Sequence, residues 1–167
     1  DIRTYEKYCV KTRVLNEDQL DVLDEMEKET SERQDFEAMS LDFYKDLYHF
    51  YGKSHIETVL SYLDLDAYAI KMQSEFDKTS KDIEKTKTFL EQNPGNVKKE
   101  KRLKTDEEYY NSLQKKLSHI EELKQKYGKE IPLACCLFVK YGHQIVYLVG
   151  SSNYEHRVFR GPYAIQW

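Results

Sequence analysis

The residues of this chain whose types could do chemistry are a lone arginine, two tyrosines, a small-residue strand end and one basic run. Arg33 stands in Glu32-Arg33-Gln34-Asp35, between two helical patterns. A guanidinium there can grip a phosphate or a carboxylate through two parallel hydrogen bonds; the alternative is an ion pair with a helical carboxylate. Tyr44 and Tyr147 can hydrogen-bond polar groups of a substrate, or their rings can fill a core. Gly150-Ser151-Ser152 follows an apolar run. Backbone N–H groups exposed at such a strand end can meet an oxyanion or phosphate, although three small residues also suit an ordinary turn. Lys98, Lys99, Lys101, Arg102 and Lys104 cluster around a single acid, Glu100. Clustered cations on a reachable surface suit a phosphate backbone, the alternative being a solvated helix start. At a helix N-terminus they oppose the dipole, so they gain nothing locally from that position.

Other chemistries find no support. The five histidines, His49, His55, His119, His143 and His156, are scattered and read as surface or turn residues. Cys9, Cys135 and Cys136 have no metal-ligand spacing. Cys135 and Cys136 are adjacent on a strand pattern and point to opposite faces, and Cys135 reads as strand core, where a thiol is inert. An odd cysteine count without a framework fits a reducing cytoplasm. The net charge of −4 gives the whole molecule no attraction for nucleic acid, so an anionic partner must use a local patch.

The elements that position these residues follow from periodicity. Charged residues make up 34% of the 167 and concentrate in one central region, so the mean hydropathy of −0.81 does not mean disorder. Tyr8–Val14 alternates as a strand. Asn16 and Gln19 form a capping box ahead of a helix reaching about Ser31, and Ser40 and Gly52 bracket a second. His55–Leu63 alternates again, with Ile56, Thr58, Leu60 and Tyr62 on one face. Ile70–Tyr127 is then heptad-patterned on both sides of Asn93-Pro94-Gly95-Asn96, which predicts an antiparallel helical hairpin with arms of roughly 35 Å. Ile131–Tyr141 and Gln144–Val149 read as two central strands around Gly142-His143, with a break at Gly150–Asn153. Gly161-Pro162 opens a last helix. The expected parts are 1–66, 67–127 and 128–167, the hairpin being an insertion into a folded domain. No apolar run approaches transmembrane length. A chain opening on Asp1 and stopping at Trp167 in mid-pattern reads as a piece of a longer protein.

Several segments resemble the Fem aminoacyltransferase family (FemA, FemB and FemX, with the MurM and MurN branching enzymes). They are Thr30–Phe36, Ser40–Tyr48, Asn93-Pro-Gly-Asn, Gly128–Ala134, Ile145–Ser152 and Phe159–Trp167, in that order around the hairpin. The resemblance implies an α/β (α+β) fold, a partial GNAT-like domain (acyl-CoA N-acyltransferase-like) carrying a coiled-coil arm. It implies tRNA-dependent transfer of glycine, alanine or serine to the stem-peptide lysine of a peptidoglycan precursor, lipid-linked or UDP-linked. The partners it implies are aminoacyl-tRNA, the precursor, the remaining subdomain of a full-length enzyme and the cytoplasmic face of the membrane, touched peripherally. No cofactor is needed, because an aminoacyl ester is already activated. Tyr163 and Gln166 enter here as substrate-binding candidates facing the Gly150 strand end, through the match over Pro162-Tyr-x-x-Gln-Trp167. The five cations become tRNA-binding candidates.

Two other functions compete. A non-catalytic coiled-coil module would bind a partner helix, but two arms of matched length saturate each other. An ordinary acetyltransferase would need a glycine-rich Arg/Gln-x-x-Gly-x-Gly/Ala turn before a helix, which the chain lacks.

Overall fold

In a computed structural model that describes residues 7–167, the chain forms two compact units. One runs up to Asp64 and resumes at Glu130–Trp167; the other is Leu65–Lys129. In the first, the element order is β1 (Val10–Leu15), α1 (Asp21–Gln34), α2 (Leu41–Tyr51), β2 (Ile56–Asp64), β3 (Glu130–Tyr141), β4 (Gln144–Ser152) and a short α5 (Gly161–Gln166). The strands make one antiparallel sheet in the order β1-β2-β3-β4.

Local chemistry sets most boundaries. The Ser40 side chain accepts a hydrogen bond from Phe43 N–H (3.2 Å), and Gly52 closes α2 at φ 76° with its N–H on Tyr48 O. Gln19 accepts from Asn16 N–H (3.1 Å), but that box opens a 3-10 turn, Glu17–Gln19, and α1 follows only after Leu20. β1 starts two residues later than Tyr8, because Cys9 takes a left-handed φ of 60° that strand pairing cannot hold.

The core lies between one sheet face and helices α1 and α2. Leu15, Ile56, Leu60, Cys135, Leu137 and Val139 meet Leu20, Leu23, Met26, Tyr44 and Tyr48. Tyr48 donates to Thr58 Oγ1 at 2.9 Å, so the one hydroxyl pair at that level is satisfied. At the end of this face Arg13 forks onto Glu130 (2.7 and 2.5 Å) and lies over Tyr62.

Glu27, on α1, is buried, and its Oε2 has no partner. Burial pushes its carboxyl pKa up, against the opposing effect of a backbone hydrogen bond from Met39, and the Asp24 charge adds to the rise. A raised folded-state pKa favours the fold below the ordinary carboxyl range, and that contribution is lost as pH rises through the folded value. Glu27→Gln therefore stabilises the protein at pH 7.5 by roughly 1 kcal/mol, and the gain disappears near pH 4. Urea denaturation at the two pH values checks this.

β3 is buried along most of its length, as its apolar density predicts; β4 is not. Ile145, Val146, Tyr147 and Leu148 are all exposed, because β4 is an edge strand and not a central one. β4 also runs on through Gly150–Ser152, which pair with Cys136, Cys135 and Ala134, so the break falls at Asn153.

The second unit is a helical hairpin of α3 (Leu65–Gln92) and α4 (Val97–Tyr127), with 28 and 31 residues. The helices are roughly 42 and 46 Å long, more than the expected 35 Å, and α3 begins at Leu65, ahead of the expected Ala67. Phe76 stacks on Tyr110 (4.3 Å), Lys87 pairs with Glu107 and Asp66 with Lys124. At the turn, Gly95 takes φ 86° and Asn96 caps α4 by accepting from Lys99 N–H.

Candidate functional site

The residues proposed from sequence separate once they are placed. Tyr44 is fully buried on the apolar face of α2, within the core against the sheet, and its hydroxyl touches no solvent. This corrects its reading as a substrate contact: helix periodicity carries it inward. Ser151 is also buried, and its hydroxyl donates to Cys135 O at 3.2 Å, so it holds the sheet and not a ligand.

Ser152 corrects the expectation of free backbone donors at the strand end. Its N–H donates to Thr30 Oγ1 (3.3 Å), and its carbonyl accepts from Arg33 Nη1 (3.3 Å). The last turn of α1 thus closes the end of β4. Arg33 itself is exposed and stands on that last turn, where a cation complements the helix dipole. Among the described residues no ion pair joins it to a carboxylate, so the ion-pair alternative is not realised; the guanidinium lies 5.1 Å from the Tyr154 ring centroid instead.

Tyr147 lies one strand turn back. Its ring is half exposed and meets Phe138 edge-on, while its hydroxyl is tucked over Gly150 and accepts from the Cys136 thiol at 3.5 Å. Burial of that hydroxyl, reinforced by the thiol, pushes its pKa up, so Tyr147 is a neutral hydrogen-bonding group and not a base. Gly150 permits this packing: a Cβ there would fall 1.5 Å from Tyr147 Oη. Because the obstructing atom ends a flexible side chain, Gly150→Ala should swing Tyr147 outward at a cost of roughly 1 kcal/mol or less. The Tyr147 ring resonances should shift in NMR spectra, whereas an unmoved ring contradicts the packing described.

Tyr163 and Gln166 are exposed on α5, and α5 packs over β1, β2 and β3. The Arg160 guanidinium lies 5.8 Å from the Tyr163 ring centroid. Cys135 is strand core as expected, its pKa pushed up to about 12 by burial, and it cannot serve as a thiolate. His156, expected as a surface or turn residue, lies in a turn and is buried there, with its backbone N–H donating to Asn153 Oδ1.

On the hairpin, Lys98, Lys101, Arg102 and Lys104 are exposed; Lys99 lies partly covered over Phe89 (5.3 Å), and Arg102 pairs with Asp106 (3.5 Å). Among the described residues no group of His, Cys, Asp or Glu could hold a metal ion.

Two residues that sequence reasoning passed over complete the strand-end cluster. Tyr154 and Arg157 follow β4, with Arg157 Cζ only 4.0 Å from the Tyr154 centroid. Their i, i+3 spacing of aromatic and cation was the available signal.

A four-stranded antiparallel sheet backed by two helices, with a long helical hairpin between its second and third strands and an unpaired arginine at its β4 end, defines a recognisable class. The model for the FemAB family matches residues 1–167, and the chain belongs to that family. Among its relatives are the aminoacyltransferase FemA of Staphylococcus epidermidis, 30% identical over 161 residues, and FemA of Staphylococcus aureus, 27% identical over 161 residues. Each alignment covers 96% of this chain and 38% of the relative, so the chain spans well under half the length of these proteins. The crystal structure of FemX shares the fold, with a TM-score of 0.81 at 20% identity, over 99% of this chain and 42% of FemX.

Proposed function

We propose that this chain is part of a tRNA-dependent aminoacyltransferase that adds glycine, alanine or serine to the stem-peptide lysine of a peptidoglycan precursor. The observation that carries this reading is membership of the FemAB family along the whole chain, with relatives named aminoacyltransferase FemA. In this reading the sheet unit is part of a GNAT-like subdomain, the hairpin is its coiled-coil arm, and the rest of the enzyme supplies the other subdomain.

The reaction is aminolysis. The lysine Nζ, once it has lost its ammonium proton, attacks the ester carbonyl of the aminoacyl-tRNA. The carbon–oxygen bond to the terminal ribose breaks, an amide forms, and the tRNA leaves with a free hydroxyl. The enzyme must align the two reactants, accept a proton and stabilise a tetrahedral oxyanion. This chain's share is binding. Arg33 offers a planar fork for a phosphate of the precursor, and its bond to Ser152 O holds it at the strand end. Tyr147, kept neutral, offers a hydrogen bond to an uncharged group of the muropeptide.

The cations at the hairpin tip supply the tRNA contact. Changing Lys98, Lys99, Lys101, Arg102 and Lys104 together to Gln should weaken tRNA binding and flatten its salt dependence by up to roughly four units of log–log slope. Filter binding across a salt series reads this, and an unchanged slope would leave the hairpin a scaffold. Among the described residues no helix is long and apolar enough to cross a membrane. We place the enzyme in the cytoplasm, reaching a lipid-linked precursor from the membrane face. Muropeptide mass spectrometry of cells depleted of the enzyme tests the proposal: shortened or missing interpeptide bridges support it, and unaltered bridges oppose it.

A further inference from the structure

Within the hairpin, the seam between α3 and α4 occupies Met72, Thr79, Ile83 and Thr86, which are buried. Beside the seam lies a groove of about 890 Å³, and Ile70, which lines it with Leu117, is 72% exposed. One stripe of α3 carries the groove: Ile70, Ser74 and Asp77, then Lys78, Lys81 and Lys85. At 3.6 residues per turn these six fall within about 100° of arc. Their steps are four, three, one, three and four residues, so the spacing reads the same from either end. The chemistry does not. The half nearer the base of the hairpin is apolar and acidic, with Glu121 of α4 beside it, and the half nearer the tip holds all three lysines. Among the described residues none of these lysines has a carboxylate within ion-pair reach. Three lysines against Asp77, Asp82 and Glu121 leave the groove without net charge, so it offers RNA no net attraction. It does complement a reversed copy of itself.

We propose that this face of α3 is where two copies of the enzyme pack, antiparallel about a twofold axis between Asp77 and Lys78. Asp77 of each copy then faces Lys78 of the other, Ser74 faces Lys81, and Ile70 takes the methylene stem of Lys85. Every contact occurs twice, and along the stripe no like charges meet. The stripe is roughly 24 Å long and one helix wide, well below the roughly 800 Å² per partner of a standard interface. The dimer is therefore weak and sensitive to salt. The tip cations from Lys98 to Lys104 lie beyond the stripe and stay free.

The test is sedimentation velocity of the full-length enzyme at roughly 1 to 100 µM. The mean mass should rise toward two protomers at the top of that range and fall back in about 0.5 M salt. Asp77→Lys sets Lys against Lys78, and Lys78→Asp sets Asp against Asp77, so each alone should weaken the dimer about tenfold or more. The two variants mixed should pair with each other, because both contacts at the axis become Lys–Asp again. The double variant Asp77→Lys with Lys78→Asp should dimerise as the unaltered enzyme does. Far-UV circular dichroism confirms that each variant is folded. Rescue in the mixture and in the double variant supports the antiparallel face. A monomer at every concentration overturns the dimer, and a dimer that neither single variant weakens overturns this surface. In the dilute enzyme, Ile70→Cys should react with maleimide as fast as a cysteine in a short peptide; a blocked thiol shows that the rest of the same protomer covers the groove and overturns the proposal. Loss of tRNA binding in Lys78→Asp, with the enzyme monomeric throughout, assigns the groove to RNA and overturns it too.

Discussion

Arg33→Ala raises the KM of the full-length enzyme for its muropeptide acceptor about tenfold or more, while the KM for aminoacyl-tRNA stays where it was. The expectation follows from what surrounds the side chain. Arg33 is exposed, it has no carboxylate partner among the described residues, and its contacts are a backbone carbonyl and an aromatic ring. A guanidinium so placed contributes little to folding, so the substitution should leave the denaturation midpoint nearly unchanged. The fork is lost in Arg33→Lys as well, and that variant should fall between the two. Steady-state kinetics at saturating charged tRNA separates the terms. An unchanged acceptor KM would remove Arg33 from the binding site.

The second large effect is structural. Gly161 begins α5 directly against the sheet: a Cβ there would lie 2.5 Å from Leu133 Cβ, 2.8 Å from Ser61 Oγ and 3.0 Å from the Leu133 carbonyl carbon. Leu133 Cβ and its carbonyl carbon are fixed by the backbone and cannot swing away as the Tyr147 hydroxyl can at Gly150, and Ser61 Oγ can rotate only by giving up its bond to Ala134 O. Leu133 is moreover the residue left unpaired where the register between β2 and β3 shifts, which pins it in place. Gly161→Ala therefore costs roughly 2–3 kcal/mol, from forced displacement of α5 or of the β3 bulge. A fall in the urea midpoint at constant m-value reads this out; a midpoint within error of the unaltered protein contradicts the packing. The two glycines make a matched pair, one whose substitution moves a side chain and one whose substitution moves the backbone.

That contrast also marks what could be read from the amino-acid order. Ser40 and Gly52 were legible because caps act over three or four residues, and the structure shows each at its helix end. The hairpin was legible because Pro94-Gly95 interrupts a long period. Gly161-Pro162 showed where a helix starts, yet nothing local reports that Leu133 lies beneath it. The apolar density of β4 matched that of β3, although the first is an edge strand and the second is covered; density measures hydrophobicity and not position in a sheet. Tyr44 and Tyr147 looked alike as candidates, and the difference between a buried core ring and a half-exposed one is a tertiary fact. Arg33 was visible as an isolated cation. Tyr154 and Arg157 were not, because a cation three residues after an aromatic in a turn is ordinary until the fold brings Arg33 to the same ring.

The central claim is that the full-length enzyme moves an amino acid from tRNA to the stem-peptide lysine. Its most direct measurement is transfer of radiolabelled glycine, alanine and serine from their charged tRNAs to lipid-linked and UDP-linked precursors, with the product located by mass spectrometry. The account predicts label in amide linkage to the lysine side chain with at least one of the three, reduced by Arg33→Ala at subsaturating acceptor. No transfer from any of the three charged tRNAs to either precursor would contradict it.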